Sequence, residues 1–236
     1  MERKKTTRTR LELFKAVFRG RQDRYMGDHT CIDKPITDYV LRDHLSGYGF
    51  KRVGIFPLAP DILDGRGTWW VVADIDNDNL DGAIRVKESL SGYGITSYIE
   101  GSKSVSHIRI GKGEGLHVWT FFREPVFAIA ARNLMKHIAK TLGLVFDICP
   151  AVDAIDLDDE KSLGSHINLP FFYADLVGDR TVFLDPTRRY KPYRDQWKFL
   201  GSIREVDPEL LYELCDTLGL EKGFPAAGDP HNEPAS

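Results

Sequence analysis

Apolar and polar positions alternate with different periods along this chain, and the changes of period mark its elements. Leu11, Phe14, Val17 and Phe18 recur at three- and four-residue spacing and predict a helix over 9–26, stopping near Gly20 where the polar segment Arg19–Tyr25 begins. A second helix is predicted over 36–47 from Ile36, Tyr39, Val40 and Leu45, with Gly47 and Gly49 as stop signals. Residues 52–58 read as a strand closed by Pro57 and Pro60, and a loop over 61–68 leads into the run Trp69-Trp70-Val71-Val72-Ala73. Five consecutive apolar residues read as a strand buried on both faces. An amphipathic helix follows over 81–92 (Ala83, Ile84, Val86, Leu90), then a strand over 96–100.

The second half is patterned in the same way. A glycine-rich stretch, Gly111 to Gly115, runs into the apolar strand Val118–Phe122. Val126, Ala130, Leu134, Ile138 and Leu142 predict a helix over 126–142. After Leu144–Asp147 comes an acidic loop holding Asp153, Asp156, Asp158, Asp159 and Glu160, then a strand over 165–172. A hairpin over 174–184 is predicted to turn at Val177-Gly178-Asp179. Asp207-Pro208-Glu209 starts a last helix to about Leu218, with an N-cap aspartate and proline in the first turn. Residues 221–236, rich in Gly, Pro and Ala, read as a flexible tail or linker.

Composition narrows the class. The 236 residues are 42% hydrophobic and 28% charged, with mean hydropathy −0.31, as expected of a globular protein with a sizeable core. No stretch approaches the roughly 20 apolar residues of a membrane span, so no membrane partner is expected. The basic start, Met1–Lys5, leads into no apolar signal core, and three scattered cysteines (Cys31, Cys149, Cys215) make no disulfide framework; both point to the cytoplasm. The net charge of −3 conceals a basic N-terminus, with nine Lys/Arg against three acids in residues 1–24. A second basic stretch, Arg188–Arg194, interleaves cations with Tyr190 and Tyr193, a composition suited to phosphate contacts and base stacking as well as to a solvated loop.

The chemistry concentrates at the end of the apolar run. Side chains alternate along a strand, so Asp74 and Asp76 point to one side while Ile75 points to the other. Two adjacent carboxylates repel each other, and a divalent cation is the usual compensation; a turn cap is the plainer use of the same pair. The glycines of 111–115 let backbone N–H groups approach a phosphate, and Lys112 adds charge, but the stretch matches neither a P-loop nor a dinucleotide fingerprint. His117 stands at the mouth of the following strand.

Together these residues resemble the archaeo-eukaryotic primases, and in particular the primase-polymerase branch of conflict and CRISPR-associated (TOTE-like) systems. Ala73-Asp74-Ile75-Asp76 resembles the family's Asp-hydrophobic-Asp motif, Gly115-Leu116-His117 its Ser/Gly-x-His motif, and Phe146-Asp147 its third acidic position. Asp153 and Asp156 compete for that third place. The likeness runs over about 14–205 and includes Phe18–Tyr25, Val53–Leu58, Gly164–Pro170, Val182–Asp185 and Asp195–Leu200. Two features depart from the pattern: Lys112 stands where the family often has serine, and 102–111 reads as an insertion, which leaves open whether Ser102, Lys103 or Ser104 does the serine's work.

The resemblance implies an α/β (α+β) primase core, an N-terminal αβ unit packed on an RRM-like sheet. It divides the chain into a basic segment (1–10), a catalytic domain (11–220) and a tail (221–236). The implied activity is a DNA-templated nucleotidyltransferase that joins NTPs or dNTPs. Asp74, Asp76 and Asp147 would hold two Mg²⁺ or Mn²⁺ ions. His117, Lys112, Gly113, Gly115, Ser165 and His166 would bind the nucleotide. Arg19, Arg21, Arg188, Arg189 and Lys191 would contact a single-stranded or primed DNA template. Further domains or conflict-system proteins are the implied partners. A metal-dependent nuclease, or a non-catalytic nucleic-acid-binding module, are the alternative readings of the same residues.

Overall fold

The computed structural model describes residues 9–27, 30–47, 49, 51–76, 80–102, 115–176 and 180–223. Helix α1 (Arg10–Val17) starts from a capping box in which Thr9 and Glu12 bond reciprocally. It ends at Phe18, short of the expected Gly20, because the chain turns there to meet another segment. Arg21 N–H donates to the Phe56 carbonyl, and a Cβ at Gly20 would lie 2.6 Å from that same oxygen. Strands β1 (Tyr25–Met26) and β2 (Cys31–Ile32) then pair antiparallel. Helix α2 (Asp38–Ser46) has Thr37 as N-cap and Gly47, in the left-handed region, as C-cap.

Strand β3 (Gly54–Ile55) is the paired part of the predicted 52–58 strand. Strand β4 (Gly67–Ile75), helix α3 (Leu80–Gly92), strands β5 (Tyr98–Gly101) and β6 (Leu116–Phe127), helix α4 (Ala128–Leu142) and strand β7 (Asp147–Cys149) follow. Val126 belongs to β6 rather than to the helix. Within the predicted 165–172 strand only β8 (Ile167–Asn168) is paired.

The predicted 174–184 hairpin is not formed. Tyr173–Leu176 is a short helix, α5, and strand β9 (Val182–Asp185) pairs instead with β5 and with β10 (Lys191–Pro192). The turn residues 177–179 lie outside the described residues. Asp175 accounts for the difference: its buried carboxylate meets Arg52 at 2.5 Å and Arg180 at 3.4 Å, which ties this turn to the N-terminal unit. Helices α6 (Gln196–Leu200) and α7 (Pro208–Leu218) complete the chain, α7 with the expected Asp207 cap.

Two antiparallel sheets result, β2-β1-β3-β8 and β10-β9-β5-β6-β4-β7. The segment β4-α3-β5-β6-α4-β7 is a βαββαβ unit with spatial order β5-β6-β4-β7, the RRM-like arrangement, widened by β9 and β10. Val71, Ala73, Ile75 and Val118 face α3, α4 and α7. Trp70, Val72, Trp119 and Phe121 face the N-terminal unit, against Phe14, Phe18, Ile55 and Ile167. Strand β4 is thus covered on both sides, which is why its run is uninterrupted by polar residues. Burial of each such side chain contributes about 1.5–3 kcal/mol. Among the described residues, no helix is long and apolar enough to cross a membrane.

Candidate active site

Asp74 is the point where the sheet's polar chemistry begins. It lies on the face of β4 shared by Trp70 and Val72, near the strand's end, and is directly paired on both sides: with His117 of β6 and with Asp147 of β7. Glu100 of β5 is in turn paired with His117. Directly opposed residues of antiparallel strands share a face. The sheet therefore presents one rank, Asp147–Asp74–His117–Glu100, across four strands. Asp76 follows just beyond the strand end and is exposed, as is Asp147.

The rank grades from open to buried. The Asp74 side chain is 43% exposed, that of His117 10% and that of Glu100 1%. His117 Nδ1 is 2.7 Å from Glu100 Oε2, and its Nε2 is 3.4 Å from Asp74 Oδ1. Burial by itself would strip the imidazole of its proton, but the Glu100 and Asp74 carboxylates outweigh it and push the His117 pKa up to about 10. His117 is therefore a cation at neutral pH.

A cleft of about 470 Å³ opens beside the rank, between β4 and β7 on one side and the approach to β8 on the other, with Asp74, Asp147, Arg132, Cys149, Ser165 and His166 on its wall. Ser165 Oγ accepts the Ala151 N–H at 2.8 Å and touches Cys149 Sγ at 3.5 Å. His166 sits edge-on to Phe56, over Gly54, where a Cβ would lie 2.9 Å from its ring. Burial pushes the Cys149 thiol up to about 12, so it remains protonated.

The three positions weighed for the third acid separate clearly. Asp147 is in register with Asp74. Asp153 is bound by Arg132, whose guanidinium also donates to the Ala151 carbonyl at 2.5 Å. Asp156 accepts the Asp158 N–H at 3.0 Å. Among the described residues no three His, Cys, Asp or Glu side chains converge to hold a metal, so a closed three-carboxylate cage is not present there. Lys112 and Gly113 lie outside the described residues. Gly115 is beside Asp74: its carbonyl accepts the Ser102 N–H at 3.0 Å, and a Cβ on it would stand 2.8 Å from Ser102 Oγ and 3.7 Å from Asp74 Oδ1.

The basic residues are not gathered at this site. Arg19 lies 3.7 Å over the Trp69 ring and pairs with Glu205, while buried Arg21 forks onto Asp23 at 2.8 and 3.1 Å. Both guanidinia are thereby committed within the protein, and Arg21 has little surface left for a template phosphate. Arg188 donates to the Pro192 carbonyl at 2.7 Å; Arg189 and Lys191 are exposed. Lys191 is on β10, four strands from β4, or about 19 Å at the usual strand spacing.

Glu100 and Arg132 went unnoticed in the sequence. Glu100 had one signal, a carboxylate directly after Tyr98-Ile99 in a predicted strand, since such a group needs a partner if the strand is buried. Arg132 had none. Among known families, the model of the TOTE conflict system archaeo-eukaryotic primase domain matches residues 27–214. No curated protein matches the chain.

Proposed function

The chain belongs to the archaeo-eukaryotic primase domain family of TOTE conflict systems, a primase-like nucleotidyltransferase at the level of the superfamily, and from that premise we propose that it joins NTPs or dNTPs on a DNA template with release of pyrophosphate. The observation that carries this reading is the in-register rank Asp147–Asp74–His117, which sets acidic groups beside a cationic N–H donor at a cleft. Phosphoryl transfer asks for that combination, because the protein's work is to position the reactants and neutralise phosphate charge.

Asp74, Asp76 and Asp147 are the residues that would hold Mg²⁺ or Mn²⁺. Their oxygens are hard donors of the kind these ions take. Mg²⁺ is commonly held by one or two carboxylates and completed by substrate phosphates and water. When bound, the ions activate the attacking 3′-hydroxyl and neutralise the triphosphate.

His117 meets the triphosphate through Nε2, because its Nδ1 is committed to Glu100. Gly115 keeps side-chain bulk away from Asp74, and Ser165 and His166 form the opposite wall, where the nucleotide's sugar and base lie. Lys112 and Gly113 take the triphosphate role that the resemblance assigns them. Arg189 and Lys191, exposed at the far edge of the sheet, contact the template backbone.

The test is incorporation of labelled NTP or dNTP on primed and unprimed single strands, with Mg²⁺ or Mn²⁺. Incorporation is expected, and D74A/D76A is expected to abolish it while still binding the strand. Normal extension by that double variant overturns the proposal. Shortening of the labelled strand without incorporation turns the reading to a nuclease, and binding with neither turns it to a non-catalytic module.

A further inference from the structure

Glu100 is a carboxylate almost wholly withdrawn from water, and none of the roles above uses it as more than a neighbour. A single oxygen, Oε2, takes two hydrogen bonds, from His117 Nδ1 at 2.7 Å and from Trp119 Nε1 at 2.8 Å. The indole that supplies the second is itself immobilised. It stacks on Phe121 at 5.5 Å, meets Phe18 edge-on at 5.4 Å and lies 5.2 Å from Trp70. Trp119 is two residues from His117 on the same face of β6, so both donors converge on the carboxylate from one strand. A buried carboxylate is expensive, and an apolar residue would serve packing at least as well. What the carboxylate adds is direction.

We propose that Glu100 is the positioning residue of the triphosphate site: it fixes the plane of the His117 ring and commits Nδ1, so that only Nε2, beside Asp74, is presented to the phosphates. Oε2 already accepts the Trp119 N–H, and a second bond accepted there needs a ring nitrogen that carries hydrogen. Flipping the ring would set carbon against the carboxylate and leave a buried acceptor short of a partner. Pairing Glu100 and His117 in register on adjacent strands gives the assembly the stiffness of the sheet rather than that of a loop.

This inference rests on the proposed nucleotide site, and its test separates the two. E100Q preserves side-chain size and its amide oxygen can accept from both His117 and Trp119, so it removes only the charge; E100A removes the acceptor of both bonds. E100A is expected to raise the nucleotide KM about 10- to 100-fold, as loss of an outer partner of a functional histidine commonly does, with kcat changed far less, and E100Q is expected to fall between. In an H117A background, E100A is expected to cost nothing further. Additive losses in that cycle, or a fall in kcat at constant KM, overturn the proposal. If E100A fails to fold by circular dichroism, E100M, which keeps the side-chain length without the acceptor, carries the same cycle and the same spectra. Spectra of ¹⁵N-histidine-labelled protein, with His117 assigned by its absence in H117N, are expected to show a protonated, hydrogen-bonded Nδ1 in the wild type and its loss in E100A, where no acceptor is left. An unprotonated Nδ1 in the wild type overturns the role of Glu100 whether or not the protein incorporates nucleotide. If the wild type incorporates none, the proposed function fails, and the spectra still decide for or against Glu100.

Discussion

Asp147 stands directly opposite Asp74 across the β4–β7 ladder, although two helices and two strands lie between them in the chain. The pairing makes Asp147, rather than Asp153 or Asp156, the acid that shares the cleft with Asp74. D147N and D74N are each expected to lower nucleotide incorporation on the order of a hundredfold, because each weakens the anchoring of charge in the transition state. D153N is expected to stay within about fivefold, since the half-exposed pair with Arg132 contributes about 1 kcal/mol. Steady-state kcat/KM for primer extension checks both, and an inactive D153N beside an active D147N reverses the assignment.

Gly115 is a second test of the same corner. A methyl group there would meet Ser102 Oγ at 2.8 Å, but Ser102 Cβ only at 3.5 Å. G115A is expected to reduce incorporation several-fold, on the order of the 1 kcal/mol that mild overpacking costs. G115A/S102A, which clears the obstructing oxygen, is expected to recover most of the loss. A double variant no better than G115A shows that the glycine acts through its backbone instead.

His44 predicts how stability depends on pH. It is wholly buried, accepts the Val53 N–H at Nδ1 (3.1 Å) and donates from Nε2 to the Pro170 carbonyl (2.9 Å). Burial, aided by the Arg52 charge, brings its pKa from 6.5 down to about 4 despite the Pro170 bond. The unfolded chain therefore binds this proton first, and stability falls as pH drops from 6.5 toward 4. About 2 kcal/mol is expected to be lost by pH 5 and about 3 kcal/mol below pH 4. Urea unfolding between pH 7.5 and 4.5 measures this, and H44Q is expected to flatten the slope.

Cys149 lies in the cleft wall, yet burial pushes its thiol up to about 12. At pH 8 its alkylation is expected to run about a thousandfold slower than that of a free thiol, while partly exposed Cys31 reacts early. Mass mapping after iodoacetamide treatment reads the order of labelling. Prompt labelling of Cys149 in the native protein shows that the cleft opens more widely than this structure does.

Much of the molecule is written in local pattern. The apolar run of β4 declares a strand covered on both faces, and strand alternation puts Asp74 on one side with Ile75 on the other. Thr37 with Gly47, and Asp207-Pro208 with Gly219, delimit α2 and α7 because capping is chemistry between near neighbours. The order of the acidic and histidine motifs was enough to point to the primase family. Where local signals misled, a distant partner had intervened. Asp175 is held in α5 by Arg52, so the expected hairpin gives way to a β9–β10 pairing, and α1 stops early where Gly20 meets Phe56.

The site itself lay beyond local reading. Cross-strand register joins residues far apart in the chain, and nothing in the neighbourhood of Asp147, Glu100 or Arg21 states its partner. Only the folded sheet aligned Asp147 with Asp74 and set Glu100 behind His117, and only the packed N-terminal unit buried Arg21 against Asp23. The sequence by itself determined most of the elements and the place of the Asp74, Asp76 and His117 motifs on them, because those follow from side-chain type and periodicity. Tertiary structure decided which of them face one another, because facing depends on strand pairings that the chain closes only over long loops.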